Sequence, residues 1–150
     1  MIANIHDHGG RTETIHSMVE AELAAAEACT FALRRFEGQP VAKELRRIQQ
    51  EHREAANELR LHEGENHTPH NGDSWWRLAR SFSSLAPRLS TGAALRSLNR
   101  AEDECFRLYK DAVFEKEIPV ECQALIWSTL LPRLEAHRTS LNRLQDGSSR

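Results

Sequence analysis

VAKELRRIQQEHREAANELRLH, residues 41–62, is the stretch on which the fold turns. Val41, Leu45, Ile48, His52, Ala55, Leu59 and His62 recur at alternating steps of four and three. That repeat puts their side chains on one stripe of an α-helix. Charged residues fill the opposite face. His52 stands in the middle of the apolar stripe. A polar group taken out of water there must find a partner or do a job.

The same pattern returns on both sides of this stretch. Residues 12–37 carry Ile15, Met18, Glu22, Ala25, Cys29, Ala32 and Phe36. Residues 91–117 carry Leu95, Leu98, Glu102, Cys105, Tyr109 and Ala112, and residues 119–145 carry Trp127, Leu130, Leu134, His137, Leu141 and Leu144. Each predicted helix holds one acid or histidine near the middle of its stripe: Glu22, His52, Glu102 and His137. That succession is the layout of a metal site built inside a helix bundle.

Turn residues separate the helices. Gly38 stops the first helix and Pro40 opens the second within its first turn. Gly64 and the run ENHTPHNGD, residues 65–73, form a loop. A short helix over 74–86, with Trp75, Leu78, Phe82 and Leu85 on its stripe, leads to Pro87. Pro119 opens the last helix. Pro132 lies inside it and predicts a kink, because it cannot donate to the Ser128 carbonyl. The expectation is an all-α fold: an antiparallel four-helix bundle of two helical hairpins, with a long crossover carrying a short extra helix. Residues 1–11 read as a flexible N-terminal tail, 12–146 as the bundle and 147–150 as a C-terminal tail.

The 150 residues suit one domain with a substantial core. Twenty basic and 22 acidic residues give a formal charge of −2, so no overall attraction to nucleic acid is expected, and DNA is not an expected partner. No apolar run approaches the roughly 20 residues of a membrane span. The N-terminus MIANIHDHGGRTET lacks a hydrophobic signal core. Cys29, Cys105 and Cys122 sit within helical patterns, without a CxxC, and read as reduced core residues of a cytoplasmic protein. No GxSxG, P-loop or GxGxxG motif occurs.

Counting from the two tight turns places the four polar residues at one depth. Glu22 lies about 16 residues before the first turn and His52 about 14 after it; Glu102 lies about 16 before the second and His137 about 19 after it. At about 1.5 Å per residue the mismatch within each hairpin is roughly 4 Å. Carboxylate and imidazole are ligands for iron, manganese or zinc.

Asn99-Arg100-Ala101-Glu102-Asp103 with Tyr109 downstream, Glu135-Ala136-His137 in the last helix, and the Trp75-containing short helix come in this setting. Together they resemble the ferritin-like superfamily, especially a group of small bacterial ferritin-like bundles of unknown function. The resemblance spans about residues 12–145. It implies a metal layer in which Glu22 and Glu102 match the lone glutamates of a di-metal site and His52 and His137 match its histidines. The bridging glutamates belong three residues before each histidine, where this chain has Gln49 and Leu134. Two nearby cations need bridging anions, so a two-metal centre is not expected. Glu51 and Glu54 flank His52 but point off the stripe and read as poor substitutes.

Two further features invite a function. His6-Asp7-His8 and His62, His67 and His70 could gather a metal, although such segments are usually just solvated. Residues 74–100 contain Arg77, Arg80, Arg88, Arg96 and Arg100, no acid, and Trp75, Trp76 and Phe82. Either they offer a surface to an anionic partner, or their apolar face packs on the bundle while the arginines pair with acidic helix faces. The leading expectation is a non-catalytic bundle with a degenerate metal layer, a bacterial stress-associated or scaffold protein without a resident cofactor. One alternative is a protein holding a single Fe, Mn or Zn ion through Glu22, His52, Glu102 and His137. Another is an adaptor working through Trp75, Trp76, Arg77 and Arg80. A homodimer is the expected assembly, on account of the spare aromatic residues.

Overall fold

The computed structural model describes residues 7–64 and 90–148, with side chains from Glu13 onward. Among these residues the fold is entirely helical. Helix α1 spans Asp7–Arg35, α2 Val41–Arg60, α3 Thr91–Ala112, α4 Val120–Leu125 and α5 Leu131–Ser148. A π-helical turn, Ile126–Leu130, joins α4 to α5, so these form one broken rod. None of the described helices is long and apolar enough to cross a membrane. The expected short helix over 74–86, and with it Trp75, Trp76, Arg77 and Arg80, lies outside the described residues. Arg96 and Arg100 are exposed on α3.

Local chemistry accounts for the ends. Gly38 takes φ +76°, the left-handed conformation that L side chains avoid, and turns the chain between α1 and α2. Ser90 caps α3, its hydroxyl accepting from the Ala93 N–H. Helix α1 begins at Asp7, earlier than the expected start near Thr12. Helix α3 stops at Ala112 rather than near Glu117, and residues 113–119 form a wider turn. Ile118 is buried in that turn, and the Gln123 side chain ties it by donating to the Val113 and Glu115 carbonyls at 3.4 and 3.2 Å.

The kink expected at Pro132 is a π turn immediately before it. The Leu131 N–H donates to the Ile126 carbonyl, five residues back, and the widened turn absorbs the bond that proline cannot make. The extra residue shifts the phase of the stripe. Ile126 is buried and Trp127 is 55% exposed, the reverse of the expected assignment of Trp127 to the core stripe. A strict period of 3.6 does not allow for the π turn.

Helices α1 and α2 pack together, as do α3 and α5, and α1 also packs on α3. Small side chains let α1 approach closely: Ala21, Ala24, Ala25, Ala26, Ala28 and Ala32 are all buried. The apolar core falls into two clusters. One includes Ile15, Met18, Leu59, Tyr109, Ile126 and Leu134; the other includes Phe36, Leu45, Ile48, Leu95, Leu98 and Leu141. Between Ile48 and Ala55, between Leu98 and Cys105, and between Leu134 and Leu141, the polar residues His52, Glu102 and His137 interrupt the stripes. A polar layer thus divides the core.

Candidate metal centre

The helical period carries the four stripe residues inward. Glu22 on α1, His52 on α2, Glu102 on α3 and His137 on α5 are 0–2% exposed. The Glu102 carboxylate lies between the two imidazoles, with Oε1 2.7 Å from His52 Nε2 and Oε2 3.2 Å from His137 Nδ1. Ring centroids of His52 and His137 are 4.9 Å apart, edge to face at 66°. The far nitrogens are held as well. Glu22 Oε2 lies 2.5 Å from His52 Nδ1, and Glu51 Oε2 lies 2.6 Å from His137 Nε2. The buried Tyr109 hydroxyl donates to the other oxygen of Glu22. At the opposite end, Arg47 Nη1 donates to Glu51 Oε1 at 2.6 Å and also grips Glu44.

The contacts form an unbroken chain: Tyr109, Glu22, His52, Glu102, His137, Glu51, Arg47, Glu44. Two of its links differ from the residue pattern. Glu51 was expected to point away from the layer. Its backbone position does lie off the stripe, but its long side chain reaches across to α5, and its two oxygens split between His137 and Arg47. Tyr109 lies on the apolar stripe of α3, and its hydroxyl proves to be the partner of Glu22 on α1. The stripe puts this tyrosine on the same helix face as Glu102, seven residues earlier, but does not indicate its partner on α1.

Gln49 and Leu134 occupy the positions three residues before the histidines. Gln49 donates to the Thr30 hydroxyl at 2.6 Å, and Leu134 is packed in the apolar core. Neither supplies a carboxylate, so the residues present do not fit a pair of bridged metal ions. They do fit one. A donor atom from each of His52, Glu102 and His137 lies within 4.8 Å of the other two. Bonds of about 2 Å to a single ion put its donors roughly 3.5 Å apart, a small adjustment from this arrangement.

The electrostatics are those of a tightly coupled buried cluster. Burial opposes charge on His52, but Glu102 and Glu22 outweigh it and raise its pKa to about 10. Burial likewise opposes charge on Glu102, and the attraction and hydrogen bonds of His52 and His137 overcome it, lowering its pKa to about 2. Burial and the nearby Glu22 push the Tyr109 phenol well up, and burial does the same for the Cys105 thiol. None of the three cysteines is in a disulfide, and all three are buried. Neither phenol nor thiol is set up as an ionised ligand, which leaves carboxylate and imidazole as the donors.

Comparison with known protein families, curated proteins and solved structures finds no match to this chain.

Proposed function

We propose that this chain is a ferritin-like antiparallel bundle whose central layer binds one divalent transition-metal ion through His52, Glu102 and His137. One observation carries the reading: the outer nitrogen of each histidine is held by its own carboxylate, Glu22 or Glu51, while the inner nitrogens converge on Glu102. Metal-binding histidines characteristically donate their remaining N–H to a carboxylate, which fixes the tautomer and strengthens the donor. Glu22 and Glu51 are therefore orienting residues rather than ligands. Imidazole with carboxylate suits iron, manganese or zinc.

The cross-links support the antiparallel arrangement. Glu22 meets His52 and Thr30 meets Gln49, while Asn99 meets Asn142 and Asp103 meets Arg138. Charge supports a divalent ion. Three carboxylates, of Glu22, Glu51 and Glu102, face the two imidazoles, and a divalent cation at the inner nitrogens offsets their negative charge. The depth of the layer favours holding an ion over turning over a substrate, and a role as a metal-stabilised scaffold follows.

The raised pKa of His52 favours a second reading, in which the same layer is a metal-free chain of ion pairs that sets helix register. Elemental analysis of tag-free protein, followed by anaerobic titration with ferrous iron, manganese and zinc, separates the two. One equivalent, lost in both His52→Ala and His137→Ala, is the expected result. Binding no greater than that of these variants establishes the metal-free layer instead.

A further inference from the structure

We propose that Glu51 and Arg47 form a latched port, on the seam between α2 and α5, through which the ion reaches the central layer; the inference rests on the single-ion reading above. Along the helix axes, and at the Glu22 end, the layer is closed among the described residues. The two apolar clusters lie above and below the layer, and its Glu22 end is stopped by the buried Tyr109. The side chains of Glu22, His52, Glu102 and His137 are at most 3% exposed, whereas that of Glu51 is 23% exposed and that of Arg47 is 40% exposed. Among the described residues, Glu51 is thus the layer's one carboxylate in touch with solvent.

Its two oxygens face opposite ways, one to His137 Nε2 and the other to Arg47 Nη1, both at 2.6 Å. Arg47 holds Glu51 and Glu44 on its own helix and reaches Ser140 Oγ on α5 at 3.5 Å, which straps the seam. On the other side of Glu51, Arg133 of α5 is turned to the Glu51 backbone carbonyl at 3.4 Å and to Glu58 at 3.8 Å, so it does not compete for the Glu51 carboxylate. When Arg47 lets go, Glu51 is free to take a hydrated cation at the surface. Its departure also releases His137 Nε2, and the ring can then turn about its Cβ–Cγ bond and pass the ion inward toward Glu102 and His52. Arg47 sets the rate of exchange, and the inner residues, with Glu51 orienting His137, set the affinity.

Stopped-flow binding and release of Co²⁺, followed by its absorption bands, tests this on the tag-free full chain. Arg47→Met is expected to speed loading and release by about fivefold, the scale of losing a partly exposed ion pair, with one equivalent still bound. Glu51→Gln is expected to slow loading, because an amide captures a cation poorly. A purely structural role would move both variants the same way. Arg107→Met, which breaks a remote exposed pair with Glu104 on α3, should leave the rates unchanged. Wild-type protein that takes one equivalent while Arg47→Met loads within twofold of it overturns the port and leaves the single-ion reading standing. Wild-type protein that binds no Co²⁺, even when refolded in its presence, overturns both.

Discussion

His52 has a carboxylate on each ring nitrogen, and Glu102 shares its two oxygens between two imidazoles. This mutual satisfaction is what allows charged groups to sit at the centre of a bundle. It also makes the metal-free protein sensitive to pH. His52 has its pKa raised in the fold from the usual 6.5 to about 10, so its contribution is complete below about 6.5 and is lost as pH rises toward 10. Glu102 has its pKa lowered from 4.5 to about 2, so its contribution is complete above about 4.5 and is lost as pH falls toward 2. With chelator present, the melting temperature should peak between about pH 4.5 and 6.5. Cys29, Cys105 and Tyr109, all raised by burial, add to the alkaline loss only above about pH 9. Among these shifted groups, His52 alone accounts for a loss in the window between about 6.5 and 9. A melting temperature that stays flat across it in wild-type protein, indistinguishable from His52→Gln, would contradict the ion-pair geometry.

At the scale of the elements, the ends of the helices show how local rules and packing divide the work. Gly38 was legible as a stop because a left-handed residue ends a helix cheaply only when it lacks Cβ. An added Cβ there would meet nothing within 4 Å, so the cost of Gly38→Ala is backbone strain alone. We expect a loss of roughly 1 kcal/mol in chemical denaturation with metal stoichiometry unchanged, because the turn lies away from the central layer. A loss several times larger would mean that the turn does more than reverse the chain. The π turn before Pro132 is the opposite case. Its proline announced a defect, but whether the helix would bend, break or widen depends on which answer buries Ile126 and Leu130 together. That choice also put Trp127 outside, beside Phe114, with ring centroids 6.5 Å apart.

For the whole molecule, the proposed ion, held by residues on α2, α3 and α5, would tie three helices together. Binding to the folded state alone stabilises it by RT ln(1 + [L]/Kd), about 2.7 kcal/mol at one hundred times Kd. For a chain of this size that is a rise of roughly 5–10 °C in Tm. Zinc at that excess should raise the Tm of wild-type protein by this amount, chelator should reverse it, and His137→Ala should abolish it. The same zinc response in His137→Ala would place the ion elsewhere. The sequence by itself determined the four long helical stretches and, except at the π turn before Pro132, which face of each turns inward, since a period of 3.6 repeats every few residues and needs no distant contact. It also marked Glu22, His52, Glu102 and His137 as one layer, because depth along a helix is a matter of counting. Only the tertiary structure decided how that layer is wired. Glu102 serves two histidines, Tyr109 holds Glu22, and Glu51 reaches in from beside the stripe. Those links depend on side-chain length and on the spacing of helices far apart in the chain, which no local period encodes.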